Sequence, residues 1–277
     1  MNKFVTVRPK KRSKVRLFLG KRYFTLKKFI DWYLAGKKFC SGKDDIENYP
    51  FVVFTHCTPL LRKLKDVDMW MQHNKVKNLE IALKELDGLV LKPEEVFSYW
   101  KLIGKPTKSK GYLQGMQLDH GKFIASIGGG LCQLSNLIYW MTLHTPLSVV
   151  ERWRHSYDVF PDSNRKQPFG SGATCSYNYI DLQIKNANRY PFLLHIYLTD
   201  THLVGEWRST TACNERYEVY EREHWISSEY WGGYIRHNTI ARRIYNKSNE
   251  MINDEYIIEN HAIMMYEPLL GESSGAK

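Results

Sequence analysis

The chain has 277 residues, 43% of them hydrophobic and 14% aromatic, with five cysteines and a net charge of +11. That apolar content excludes disorder throughout, and the length suits one large domain or two small ones. Cys40, Cys57, Cys132, Cys175 and Cys213 are odd in number and contain no Cys-x-x-Cys pair, which argues against a disulfide framework or a zinc ribbon and predicts reduced thiols.

The charge is concentrated at the front, where thirteen of the 40 basic residues stand in positions 1–38 against Asp31 alone. The rest is near neutral, so no nucleic-acid partner is expected. Inside this basic arm, Leu19, Tyr23, Leu26, Ile30 and Tyr33 recur at helical spacing, with Lys21, Arg22, Lys27 and Lys28 on other faces. Two readings fit that stripe equally: a helix lying on an anionic membrane surface, or a terminal helix whose stripe docks on the body while its lysines are solvated. Arg16, Lys21, Arg22, Lys27 and Lys28 interrupt every candidate membrane span or signal-peptide core, so the expected location is the cytoplasm or the inner membrane face.

Residues 39–50 read as a polar, turn-rich linker, and 51–270 as the main domain. Phe51–Phe54 is a predicted strand. Leu79, Ala82, Leu83 and Leu86 follow the i, i+3, i+4, i+7 pattern of a helix that Gly88 ends, and Leu89–Leu91 extends beyond it. Residues 111–127 predict a hairpin turning at Asp119-His120-Gly121. Three glycines, Gly128, Gly129 and Gly130, lead into a helix whose apolar stripe is Leu134, Leu137, Ile138 and Met141. Period-two patterns follow near Val150, at Ile180–Ile184, Phe192–Leu198 and Leu203–Trp207, and through the tyrosine-rich stretch 217–267. The expected fold is α+β, with early helices, a glycine-rich turn entering a buried helix, and a late antiparallel sheet.

The chemistry centres on Gly-Gly-Gly-Leu-Cys-Gln-Leu-Ser at 128–135. A helix N-terminus favours a thiolate and offers N–H groups to an oxyanion. A step of about 100° per residue puts Cys132 opposite the helix's apolar stripe, with Asn136 one turn below. Packing is the alternative, because free cysteine is among the most buried residue types and glycines permit close contact.

A thiolate nucleophile needs a base, and Glu151-Arg152-Trp153-Arg154-His155-Ser156 supplies one on a predicted strand. Glu151 would lie about 13 Å from His155 on an unbroken strand, too far to orient it, leaving Asp158 or Asp181 as orienters. Arg152 and Arg154 suit an anionic substrate carboxylate or a solvated strand face. His56, Cys57 and His120 lack metal-ligand spacing, and neither metal nor cofactor is expected.

These runs, with Gly172-Ala-Thr174, Asp181-Leu-Gln-Ile-Lys-Asn186, Phe97-Ser98 and Gly111-Tyr112, resemble the VanW family over residues 78–207. The resemblance implies cell-wall biology in glycopeptide resistance and, for some relatives, L,D-transpeptidase activity at the motif cysteine. Carried onto this chain, Cys132 is the nucleophile and His155 the base. Gly128, Gly129, Gly130, Gln133, Ser135, Arg152, Arg154 and Ser156 would line the substrate, a peptidoglycan precursor or stem peptide. A non-catalytic accessory role is the alternative. One departure stands out: Gly172 occupies a position where many family members carry aspartate.

Overall fold

The computed structural model describes residues 12–62, 67–119, 121–159 and 167–267. Helix α1 (Lys14–Tyr33) starts at Ser13, whose hydroxyl accepts from the Arg16 N–H as an N-cap. Strand β1 (Phe51–Pro59) and helix α2 (Met69–Leu86) are longer than their sequence patterns predict, and α2 ends before Gly88 at φ +76°. Strands β2 (Leu89–Leu91) and β3 (Val96–Ser98) precede a short helix α3 (Tyr99–Ile103) that sequence periodicity did not predict. The hairpin β4 (Gln114–Asp119) and β5 (Lys122–Ile127) then delivers the chain to helix α4 (Cys132–Leu143).

Strands β6 (Ser148–Glu151), β7 (Tyr157–Asp158) and β8 (Gln183–Lys185) are short, whereas β9 (Phe192–Leu198), β10 (His202–Ser209), β11 (Arg216–Glu229), β12 (Gly233–Tyr245) and β13 (Met251–Met264) are longer and antiparallel, divided between two sheets where the sequence suggested one. Their hydrogen bonding gives sheets ordered β1-β10-β9-β2, β11-β12-β13-β7 and β3-β8-β6. The only parallel pair among these is β13 with β7. The α+β expectation holds.

Burial follows the sequence pattern closely in β10, where Leu203, Gly205, Trp207 and Ser209 point inward and alternate with half-buried residues. Gly205 has a packing reason: a Cβ there would stand 2.7 Å from Met141 Cε, so its absence lets α4 lie close on the sheet. The Trp207 indole donates to Thr142 Oγ1 at 3.1 Å, satisfying the one polar atom that this fully buried ring brings inside. Leu134, Leu137, Ile138 and Met141 are all buried, as their spacing predicts, and join one large core with Leu79, Leu86, Phe97, Phe192 and Leu194.

The front of the chain packs against the body. Residues 39–50 lie along the body, with Cys40 and Tyr49 buried and bridges from Phe39 to Val96 and Lys43 to Leu89. Helix α1 docks through Trp32, whose indole donates to Ser98 Oγ at 3.0 Å, and through the buried Lys28, which bonds the Glu151 carboxylate. The docked face is therefore not the stripe that the docking reading required, because Leu19, Tyr23, Leu26, Ile30 and Tyr33 all face solvent. A buried lysine with a carboxylate partner and a hydrogen-bonded tryptophan outcompete a simple apolar stripe for this contact. No helix of the described residues is long and apolar enough to cross a membrane.

Candidate functional site

The turn before α4 is set by its glycines. Gly128 at φ +75° and Gly130 at φ +92° hold the left-handed conformations that side chains disfavour. Gly129 has a different reason, since a Cβ on it would come 2.1 Å from the Gly115 carbonyl oxygen of β4. The backbones cross at a pair of glycines. Asn78, fully buried on α2, locks this crossing by donating to the Gly129 carbonyl at 2.9 Å and accepting from the Leu113 N–H at 2.8 Å. Sequence reasoning missed Asn78; a polar residue inside the apolar stripe of α2 was the available signal.

Helix α4 begins without a side-chain cap, and Leu131 at its cap position is already helical. The Gln133 N–H returns to the Gly130 carbonyl at 3.0 Å and the Leu134 N–H to the Leu131 carbonyl at 3.1 Å. The N–H groups of Gly130, Leu131 and Cys132 have no acceptor among the described residues. These are the orphan donors that a helix start leaves available to an anion or an oxyanion.

Residues 172–175 run along this first turn and are clamped to it. Ser135 Oγ donates to the Ala173 carbonyl at 2.7 Å, and Asn136 Oδ1 accepts the Ala173 N–H at 2.7 Å. The Cys132 thiol donates to the Cys175 carbonyl at 3.6 Å. Cys132 keeps part of its surface in solvent, yet burial raises its thiol above the ordinary value, and the Cys175 backbone offsets that only in part. Desolvation thus wins over the helix N-terminus, and the resting form is the thiol, contrary to the thiolate expected from position alone.

His155 does not lie on a strand. Strand β6 ends at Glu151 because its partner β8 offers only Gln183–Lys185, and the Leu182 carbonyl beyond it is taken by the Tyr99 N–H. The segment 152–156 instead lies beside 172–175, joined to it by the Thr174 N–H donating to the Trp153 carbonyl at 2.8 Å. His155 is half-buried, and burial, then the charge of Arg154, lowers its pKa, so the ring is neutral at pH 7. Among the described residues no hydrogen bond joins the His155 ring to the Cys132 thiol.

The other expected site residues have partners of their own. Arg152 donates to the carbonyls of Gly170 and Gly172 and to Asn260 Oδ1, with its guanidinium over the Tyr139 ring, so it braces the 170–172 turn. Arg154 lies over the Phe169 ring at 3.8 Å. Gln133 Nε2 donates to Thr58 Oγ1 and the Pro59 carbonyl. The Ser156 carbonyl accepts from the Ile263 N–H, and its side chain is exposed. Asp181 accepts from Ser98 Oγ at 2.6 Å and from the Trp100 and Leu182 N–H groups, while Asp158 accepts from Tyr266 OH at 2.8 Å with Arg236 at 3.6 Å. Both carboxylates are buried in these contacts, and among the described residues neither has a hydrogen bond from His155.

No cluster of three or more metal-ligating side chains occurs among the described residues, and His120 lies outside them. Two surface hollows lie on the α2 and β9 side, one along Glu80, Leu83, Asp87 and Ile196, the other along Leu60, His73, Val76 and Leu198. Neither is lined by Cys132 or His155.

Residues 74–208, which contain Gly129 and Gly115, α4 and the paired segments 152–156 and 172–175, match the family model described as VanW like protein. The chain is 37% identical over 178 residues to the vancomycin B-type resistance protein VanW of Enterococcus faecalis, covering 63% of this chain and 65% of that one. It is 29% identical over 117 residues to YoaR of Bacillus subtilis, described as uncharacterized, covering 42% of this chain and 37% of the other. In each case the match spans less than two thirds of the relative's length. No solved structure matches. The ordered glycine, cysteine and histidine motifs all lie within residues 74–208, the part of the chain that is similar to the VanW family.

Proposed function

We propose that the protein serves glycopeptide resistance by holding a peptidoglycan stem peptide or its precursor at the N-terminus of α4. The observation that carries this is the set of unspent N–H groups at Gly130, Leu131 and Cys132, beside the free thiol of a half-buried cysteine. The resistance named for the Enterococcus relative supports the cell-wall setting.

The chemistry we attach to the site is acyl transfer. Cys132 Sγ would attack the peptide carbonyl before a terminal D-alanine, the oxyanion would be met by those N–H groups, and D-alanine would leave with a proton. The thiol proton must first pass to a base, for which neutral His155 is in the right form. An amine of another stem peptide, or water, would then resolve the thioester. Binding without catalysis is the second reading, favoured by the raised thiol and by its donation to the Cys175 carbonyl rather than to an imidazole.

The test is intact-protein mass spectrometry with stem tetrapeptide and pentapeptide, alongside calorimetric titration. A mass gain that Cys132→Ala abolishes supports acyl transfer. Saturable binding with no adduct supports the second reading, and absence of both removes the stem peptide as ligand.

A further inference from the structure

Helix α1 carries an unusual division of labour. Lys28 and Trp32 face the body, while Leu19, Tyr23, Leu26, Ile30 and Tyr33 are each between 46% and 68% exposed. At about 100° per residue these five fill an arc of about 80°, roughly opposite the docked side. Arg22 borders that arc on one edge, and Arg16 and Lys27 on the other. All three are exposed. The single acidic residue of the helix, Asp31, is half-buried on the docked side and paired with Lys37. The stripe therefore has cationic margins and no anionic one.

A helix of 20 residues is about 30 Å long, and an apolar surface of that length is not left in water without a reason. A second copy of the chain is a poor occupant, because apposed α1 helices would bring Arg16, Arg22 and Lys27 against their own kind. An anionic lipid surface answers both halves of the pattern: acyl chains take the leucine, isoleucine and tyrosine stripe, and headgroup phosphates take the flanking guanidinium and ammonium groups. Lys3, Arg8, Lys10, Lys11 and Arg12 add charge of the same sign just before the helix.

We propose that α1 is a membrane-surface docking helix, fixed to the body by Trp32 and Lys28 and presenting its outer stripe to an anionic bilayer. The helix lies flat on the surface and does not span it. Docking is independent of any chemistry at Cys132.

The test is co-sedimentation of the full chain with vesicles of phosphatidylcholine alone and of phosphatidylcholine with about one quarter phosphatidylglycerol. Binding to the anionic vesicles should be at least about tenfold tighter and should weaken at about 0.5 M NaCl. Leu26→Glu/Ile30→Glu should abolish it while leaving the circular dichroism spectrum and thermal midpoint unchanged, since both sites are solvent-facing. Equal affinity for both vesicles, no binding to either, or binding that survives the double substitution overturns the proposal. So does a dimer in sedimentation velocity that the double substitution dissociates in the absence of vesicle binding.

Discussion

The Cys132 thiol and the Cys175 carbonyl stand 3.6 Å apart, with the thiol as donor. Burial keeps the proton on sulfur, and the Cys175 backbone offsets that effect only in part. Nucleophilic character here must therefore be induced, by a ligand that displaces the 172–175 segment or brings a base to the sulfur. Alkylation kinetics test the resting state. With iodoacetamide at about pH 7, exposed Cys57 should react well before Cys132, and the Cys132 rate should climb only above the ordinary thiol pKa. Rapid labelling of Cys132 at neutral pH, located by peptide mapping, would show that the thiol is ionised after all.

The Gly115–Gly129 crossing predicts a severe stability defect from a single methyl group. A Cβ at Gly129 meets the Gly115 carbonyl oxygen at 2.1 Å, and the neighbour that must yield is backbone. Gly129→Ala should cost about 3 kcal/mol in urea unfolding, at the upper end of overpacking penalties. Gly42→Ala, where nothing lies within 4 Å, is the control and should be nearly neutral. Equal effects from the two substitutions would mean that the crossing opens easily.

Much of this was legible in the sequence, and what was not has physical causes. The stripe of α4 and the alternation of β10 were readable because the residues at the sequence period are the ones turned into the core, which is what periodicity encodes. The docked face of α1 was not. It depends on Trp32 reaching Ser98 and Lys28 reaching Glu151, contacts 66 and 123 residues apart in the chain. The same holds for the end of β6, set by how much strand β8 offers. At the site, the motif located Cys132 and its glycines, but the state of the thiol depends first on burial, which only the fold creates. The arginines at 152 and 154 likewise have contacts that residue type alone does not reveal, with the Gly170 and Gly172 carbonyls and with the Phe169 ring.

Asp181 links α1 to the core through Ser98, and its ionisation should show in stability. Burial pushes its carboxyl up to about 6, although the Ser98 hydroxyl and Trp100 N–H pull the other way. An unfolded aspartate titrates near about 3.9. The folded state thus holds this proton more tightly, so the carboxyl's contribution is fully present below about pH 4 and is lost as pH rises through about 6, a swing of up to about 3 kcal/mol. Asp181→Asn removes the titration. Unfolding free energies of the two proteins should diverge between about pH 4 and pH 7, with the native chain losing ground. A constant difference across that window would show that Asp181 keeps its unfolded pKa.

Gly172 is matched to Asn136 in this chain. A Cβ at Gly172 would stand 2.7 Å from Asn136 Oδ1, the oxygen that accepts the Ala173 N–H. The carboxamide of α4 occupies the space that a side chain at 172 would need, so the two positions are not independent. Gly172→Asp alone should destabilise by about 2 kcal/mol through overpacking. Asn136→Ala alone should cost about 1 kcal/mol by leaving the Ala173 N–H without its acceptor. In the double variant the clash is gone, and the new carboxylate is within reach of the same N–H. The combined cost should therefore fall short of the sum by about 1 kcal/mol or more, a coupling that a double-mutant cycle in urea measures. Strict additivity would show that the two positions are independent and leave Asn136 as a local hydrogen-bond acceptor only.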